Sequence, residues 1–190
     1  MRIILVFSAI LMSSVSLSAQ AELYVTIVQG LGGEPTFEEN FHTQSQTIAE
    51  ASASLTDADK ITFFNGDDAT RENLLRHFST QSAIMDVDDR AAIYLIGHGG
   101  FDGEEYKFNI PGIDITTDDI LNVMDSFPGQ NHFLLNTSST SGALLEPLAN
   151  ENRILVTATR NGNEKNATFF GEYFVEALSS EDADLNKNNN

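Results

Sequence analysis

Cysteine is missing from all 190 residues, and lysine and arginine together number only 10 against 28 aspartates and glutamates. The first absence excludes disulfides, so the core must hold the chain together even in an oxidising compartment. The second leaves a formal charge of −18, which disfavours nucleic acid and anionic membrane as partners and is met by a solvated acidic exterior. Internal repeats are missing too, and the chain has one long apolar run, Ile3 to Leu17.

That run follows Arg2 and ends before Ala19-Gln20-Ala21, a small-residue cleavage site. It reads as a secretory signal over residues 1–21, too short to anchor in a membrane. The mature chain is expected to begin at Glu22 and to be secreted or periplasmic, with no membrane contact after signal removal. The length that remains suits one domain, residues 22–180.

Strand and helix patterns alternate through that domain. Leu23 to Gln29 is β-branched and aromatic, a strand. The loop from Gly30 to Pro35 lacks the G-x-G-x-x-G spacing of a dinucleotide site, so a nucleotide-binding reading is weak, and Pro35 is expected to delay the helix behind it. Phe37, Phe41, Ile48 and Leu55 recur at helical spacing, with His42 on the wetter side. Lys60 to Phe64 is a second strand, and Asn65-Gly66-Asp67-Asp68 a turn and cap before a helix over about Thr70 to Phe78. His77 is placed in the last turn of that helix, where a cation suits the dipole.

Tyr106 to Ile115, turning at Pro111-Gly112, reads as a small hairpin, and Thr116-Thr117-Asp118-Asp119 as the cap of a helix carrying Ile120, Leu121, Val123 and Met124. A short helix is expected around Ala143 to Leu148 and a strand over Arg153 to Ala158. Asn166, also the start of an Asn-Ala-Thr sequon, is expected to cap a last helix whose Phe169, Phe170, Tyr173, Phe174, Ala177 and Leu178 form one broad apolar face. The alternation predicts an α/β fold, a three-layer α/β/α sandwich with a mostly parallel central sheet.

Two stretches carry chemistry. Ala91 to Gly100 (A-A-I-Y-L-I-G-H-G-G) is a short apolar run ending in His98 between glycines, the pattern of a strand buried on both faces. His132 to Asn136 repeats the layout and runs into Thr137-Ser138-Ser139-Thr140-Ser141-Gly142. As neighbouring parallel strands they would bring an imidazole and a cluster of hydroxyls to one sheet edge, the raw material of nucleophilic catalysis.

His-Gly after a central strand, followed by a second strand running into Ser139-Thr140-Ser141-Gly142, resembles the caspase-hemoglobinase fold peptidases, which include legumains, caspases, gingipains and metacaspases. The hairpin at Asn109 to Gly112, the helix after Thr117 and the strand at Arg153 fall in the order that fold has, so the resemblance spans most of the mature chain. It implies a caspase-like sandwich acting on peptide bonds, with His98 assisting the nucleophile, the Gly99 N–H forming part of an oxyanion hole and Arg160 near the specificity pocket. Ser139 stands where the family has its cysteine. A serine must surrender its proton to a base, so the role needs His98 within hydrogen-bond reach and a group orienting the imidazole, for which Asp102 is the candidate.

Two functions follow as expectations: a peptide-bond hydrolase using Ser139 and His98, or a pseudo-peptidase that keeps the cleft and binds a peptide or protein. No cofactor and no metal are expected; the acidic loop Asp86, Asp88, Asp89 lacks the regular oxygen spacing of a calcium site. Residues 181–190 read as a polar tail whose Asp184, Asn186 and Asn188 resemble the opening of a truncated calcium loop.

Overall fold

A computed structural model describes residues 21–179. Residues 1–20 of the expected signal (1–21) and the expected polar tail (181–190) therefore lie outside the described residues. The chain runs β1 (Leu23–Gln29), α1 (Pro35–Ser52), β2 (Ile61–Phe64), α2 (Arg71–Ile84), β3 (Arg90–Ile96), β4 (Gly99–Phe101), β5 (Tyr106–Phe108), β6 (Ile115–Thr116), α3 (Thr117–Ser126), β7 (His132–Asn136), β8 (Arg153–Thr157) and α4 (Phe170–Ser179).

Five strands form one parallel sheet in the order β2-β1-β3-β7-β8, and β4, β5 and β6 form a small antiparallel sheet beside it. The predicted three-layer α/β/α sandwich with a parallel sheet is what the chain adopts. Its apolar runs explain why: alternate residues of each central strand enter different cores. Tyr24, Val28, Ala91, Ile93, Leu95 and Leu134 pack toward α2 and α3 with Leu74, Phe78, Ile120 and Met124. Val25, Ile27, Ala92, Ile96 and Leu135 pack toward α1 and α4 with Phe41, Ile48, Phe170 and Phe174. Strands covered on both faces need apolar residues at nearly every position. Leu135 is fully buried, and truncating it to alanine removes roughly 2–5 kcal/mol of stability.

The helix starts carry their own instructions. Thr116 Oγ1 accepts from the Asp119 N–H (3.3 Å) and Asp119 Oδ2 from the Thr116 N–H (3.1 Å), a reciprocal cap on α3. Arg71, at the start of α2, clamps the same carboxylate with two bonds of 2.7 and 2.6 Å, joining two helices on one face of the sheet.

Several local expectations are corrected. Pro35 opens α1 rather than delaying it, since a first-turn position needs no N–H. Leu55 lies beyond the helix end and is 69% exposed. The second helix extends to Ile84, so His77 is mid-helix; its Nε2 lies 2.9 Å from Thr26 Oγ1, and burial lowers its pKa. It is therefore a neutral packing residue rather than a dipole-compensating cation. The short helix expected around Ala143 to Leu148 is a 3-10 turn that starts earlier and ends sooner, at Ser141–Leu144. Asn166 precedes α4 by four residues and is not its cap. The apolar face of α4 is divided: Phe170 and Phe174 turn inward while Phe169, Tyr173 and Leu178 are exposed.

Candidate functional site

In the order β2-β1-β3 the chain reverses its direction of travel between β1 and β3, and the carboxyl ends of such strands flank a ligand crevice. His98 stands two residues beyond β3, and the loop after β1 faces it. The Gly30 N–H bonds the Ile96 carbonyl (2.8 Å) and the Leu31 N–H the Asn109 carbonyl (3.0 Å), pinning the loop over the strand end. His98 Nε2 then lies 3.1 Å from the Gly32 carbonyl oxygen.

A carbonyl only accepts, so Nε2 carries a proton, and in the neutral tautomer that donates there the lone pair is on Nδ1. The imidazole is half-buried, set edge-on against Phe37 and Phe41 with ring centroids 4.8 and 5.0 Å away. Glu38, one turn into α1, steadies the loop: its carboxylate accepts from the Gly32 N–H (2.9 Å) and from Gln29 Nε2 (2.8 Å). A Cβ at position 32 would drive into the backbone of Glu38, so this close approach requires glycine.

From the loop after the neighbouring strand β7, Thr137 and Ser139 reach the same cavity as His98. Its other walls include Phe41, Gln44, Thr168 and Glu172. The cavity is about 30 Å³, room for a water or two but not for a peptide side chain. Ser139 is 8% exposed and donates its hydroxyl to the Gly99 carbonyl at 3.0 Å. No hydrogen bond joins it to His98 among the described residues. The structure thus brings His98 and Ser139 to one rim of the sheet, lining one cavity, with the hydroxyl turned to the backbone beside the imidazole.

Gly99 holds this corner together. The Asn109 N–H donates to the His98 carbonyl (3.0 Å) and Gly99 pairs with Phe108, so this antiparallel pair is of the non-hydrogen-bonded kind and the Gly99 N–H stays out of the ladder. A Cβ at Gly99 would meet Ser138 Oγ and Tyr106 Oη, both at 2.6 Å. Those two hydroxyls are bonded to each other (2.7 Å), and Asn136 Nδ2 donates to Tyr106 Oη (2.8 Å). Burial pushes the Tyr106 phenol up to about 12, so it stays a neutral member of this network.

The backbone after Ser139 is strained. Thr140 has φ 59° and ψ 1°, the left-handed region, and its buried Oγ1 has no hydrogen-bond partner among the described residues. A β-branched residue there costs on the order of 1–3 kcal/mol, and strain of this kind gathers at functional corners. The next residues are tied down: Ser141 Oγ accepts from the Ala158 N–H (3.1 Å) and the Gly142 N–H donates to Thr159 Oγ1 (2.8 Å).

Two candidates take other places. Asp102 accepts from the Glu104 and Glu105 N–H groups at 3.0 and 2.9 Å, a turn role, and those bonds, Glu105 first, hold its carboxyl below the ordinary range. The group that orients His98 is instead the Gly32 carbonyl. Arg160 has a side chain 90% exposed and paired with Glu164, and it does not line the cavity. The acidic loop is structural as well: Asp89 is buried and accepts from the Glu22 and Asp86 N–H groups, and the described residues hold no cluster of three metal-ligating side chains. No helix among them is long and apolar enough to cross a membrane.

The fold and site together define an α/β sandwich domain with its candidate site in the crevice between β1 and β3. No family model matches the chain, and no curated protein matches it.

Proposed function

We propose that the protein is a secreted or periplasmic domain of the caspase and legumain type that hydrolyses peptide bonds through Ser139 and His98. The observation that carries this reading is the His98 Nε2 bond to Gly32, which leaves an Nδ1 lone pair on a ring lining the same cavity as Ser139. In the reaction Ser139 Oγ forms a bond to the substrate acyl carbon and His98 Nδ1 takes its proton. The imidazolium then protonates the leaving amine as the C–N bond breaks, and water releases the acyl group by the reverse path. The Gly99 N–H, which lies outside the β4–β5 ladder, supplies a donor for the oxyanion. Glu172 in the cavity wall and the acidic chain favour a cationic peptide segment.

The resting geometry favours a second reading, a pseudo-peptidase that binds peptide without cleaving it. Ser139 donates to the Gly99 carbonyl and the cavity is closed down to about 30 Å³. Hydrolysis therefore requires the Ser139 rotamer to turn and α4 to yield as the peptide enters. A fluorophosphonate probe distinguishes the two: the hydrolase is labelled at Ser139, and neither Ser139→Ala nor His98→Ala is. Absence of label on the intact protein, with peptide binding retained, establishes the second reading.

A further inference from the structure

At the opposite end of the sheet from the crevice, one residue is held by every polar group it has. The Glu22 N–H donates to Asp89 Oδ1 at 2.8 Å, and the Glu22 carbonyl accepts from the Arg90 N–H at 2.9 Å. Its carboxylate pairs with Lys60 and accepts from Tyr24 Oη at 3.1 Å. Asp89 is buried, 7% exposed, and its second oxygen accepts from the Asp86 N–H at 2.8 Å. Ala21, the residue before, is exposed and faces a shallow cavity with Asp57 and Lys60.

A buried carboxylate bonded only to backbone N–H groups is solvated without being neutralised. The sequence offers a neutralising charge one bond away, because the small-residue pattern Ala19-Gln20-Ala21 ends where this anchoring begins. We propose that cleavage after Ala21 places the new α-amino group of Glu22 on Asp89, so that removing the leader completes an ion pair at the base of the sheet.

The step is a hydrolysis by a leader-processing endopeptidase. Water adds across the Ala21–Glu22 bond, the Ala21 carbonyl carbon takes the hydroxyl and departs with the leader, and the Glu22 nitrogen takes the proton. At neutral pH that nitrogen binds a further proton and becomes an ammonium. Where an amide N–H met Asp89, a full positive charge now meets it at the same 2.8 Å. Charged hydrogen bonds of this kind are about twice as strong as neutral ones. Maturation would thereby lock β1 to the start of β3, the two strands that flank the crevice. The inference rests on the secretory-signal reading and is independent of what Ser139 does.

The groups around the new amine are the Glu22 carboxylate, Lys60, Tyr24, Asp57, Asp86, Asp89 and Arg90. Of these Asp89 alone is bonded to the Glu22 nitrogen. Paired with Asp89, the amine has a raised pKa in the folded state. Its stabilisation is full below the unfolded value, about 8, and is lost as pH rises through the folded one.

The experiment exports the full chain with its own leader, reads the intact mass, and compares thermal midpoints with a chain that retains Gln20 and Ala21. The inference expects a mass beginning at Glu22 and a midpoint several degrees above that of the extended chain at neutral pH. The gap should close in alkali and be abolished at neutral pH by Asp89→Asn. Should that variant fail to fold, acylation of the wild-type α-amine at neutral pH gives the second readout, slower folded than unfolded. A different amino terminus, a mass lower by one water from cyclisation of Glu22, or equal midpoints for the two chains would overturn it.

Discussion

His98 and Gly32, 66 residues apart in sequence, are joined by a 3.1 Å contact between an imidazole nitrogen and a main-chain carbonyl. That contact decides which ring nitrogen holds the proton. It ties the loop after β1 into the candidate site. Removing the Glu38 carboxylate that steadies this loop by Glu38→Ala should cut fluorophosphonate labelling of Ser139 by roughly 10–100-fold through mispositioning of the ring. The stability cost should be only about 1 kcal/mol. Labelling rate and thermal midpoint, measured together, separate the two effects.

Gly99→Ala should be far more damaging than its single methyl suggests. The new Cβ would sit 2.6 Å from two hydroxyls that are themselves bonded, and relief requires moving β4 or breaking that pair. Overpacking of this order costs roughly 1–3 kcal/mol, visible as a lowered denaturant midpoint.

Tyr106→Phe leaves Asn136 Nδ2 and Ser138 Oγ facing a buried space without their shared partner. About 1–3 kcal/mol of stability should be lost. Wild-type Tyr106 should also resist ionisation up to about 12, measurable as a delayed tyrosinate absorbance in an alkaline titration.

Thr140→Val tests the orphaned hydroxyl. The substitution keeps shape and β-branching while removing a buried donor with no partner among the described residues. The thermal midpoint should rise, by the equivalent of about 1 kcal/mol. A fall would mean that the hydroxyl is engaged in the folded protein.

His132 sets an acid limit on stability. It is buried, its Nδ1 accepts from the Ala91 N–H at 3.0 Å and its Nε2 lies 2.9 Å from the Pro128 carbonyl, an arrangement that needs the neutral ring. Burial lowers its pKa, and that of His77, below 6.5. The unfolded chain then binds protons that the folded chain refuses, so stability is full above about 6.5 and declines as pH falls toward the depressed values. Thermal midpoints across that range should show the decline, and His132→Gln should flatten it.

Much of this arrangement is legible in the sequence. The apolar runs at Leu23, Ala91 and His132 announce strands covered on both faces, and their abrupt ends at Gly30, His98 and Thr137 announce the rim where side chains gather. The capping pattern at Thr116 to Asp119 fixes the start of α3. What escapes is carried by the main chain or by tertiary context. A carbonyl such as that of Gly32 has no residue signature, whereas Asp102 offers a carboxylate near His98 in sequence and spends it closing a turn. The left-handed Thr140 contradicts its own propensity, and only its surroundings hold it there. Phe37 and Phe41 are legible as core residues, but not as the walls that hold His98 edge-on. Leu55 shows the limit of periodicity: its spacing continues that of α1 after the helix has ended.

The most direct measurement is the alkylation rate of Ser139→Cys by a peptidyl chloromethyl ketone, with and without His98→Ala. It asks whether the imidazole acts on whatever side chain occupies position 139, and it applies to a hydrolase and to a pseudo-peptidase alike. The account predicts rapid alkylation of the single variant and a loss of at least about tenfold in the double variant, as expected when a thiol loses its base. Equal rates in the two proteins would contradict it, because His98 and residue 139 would then share a cavity without sharing chemistry.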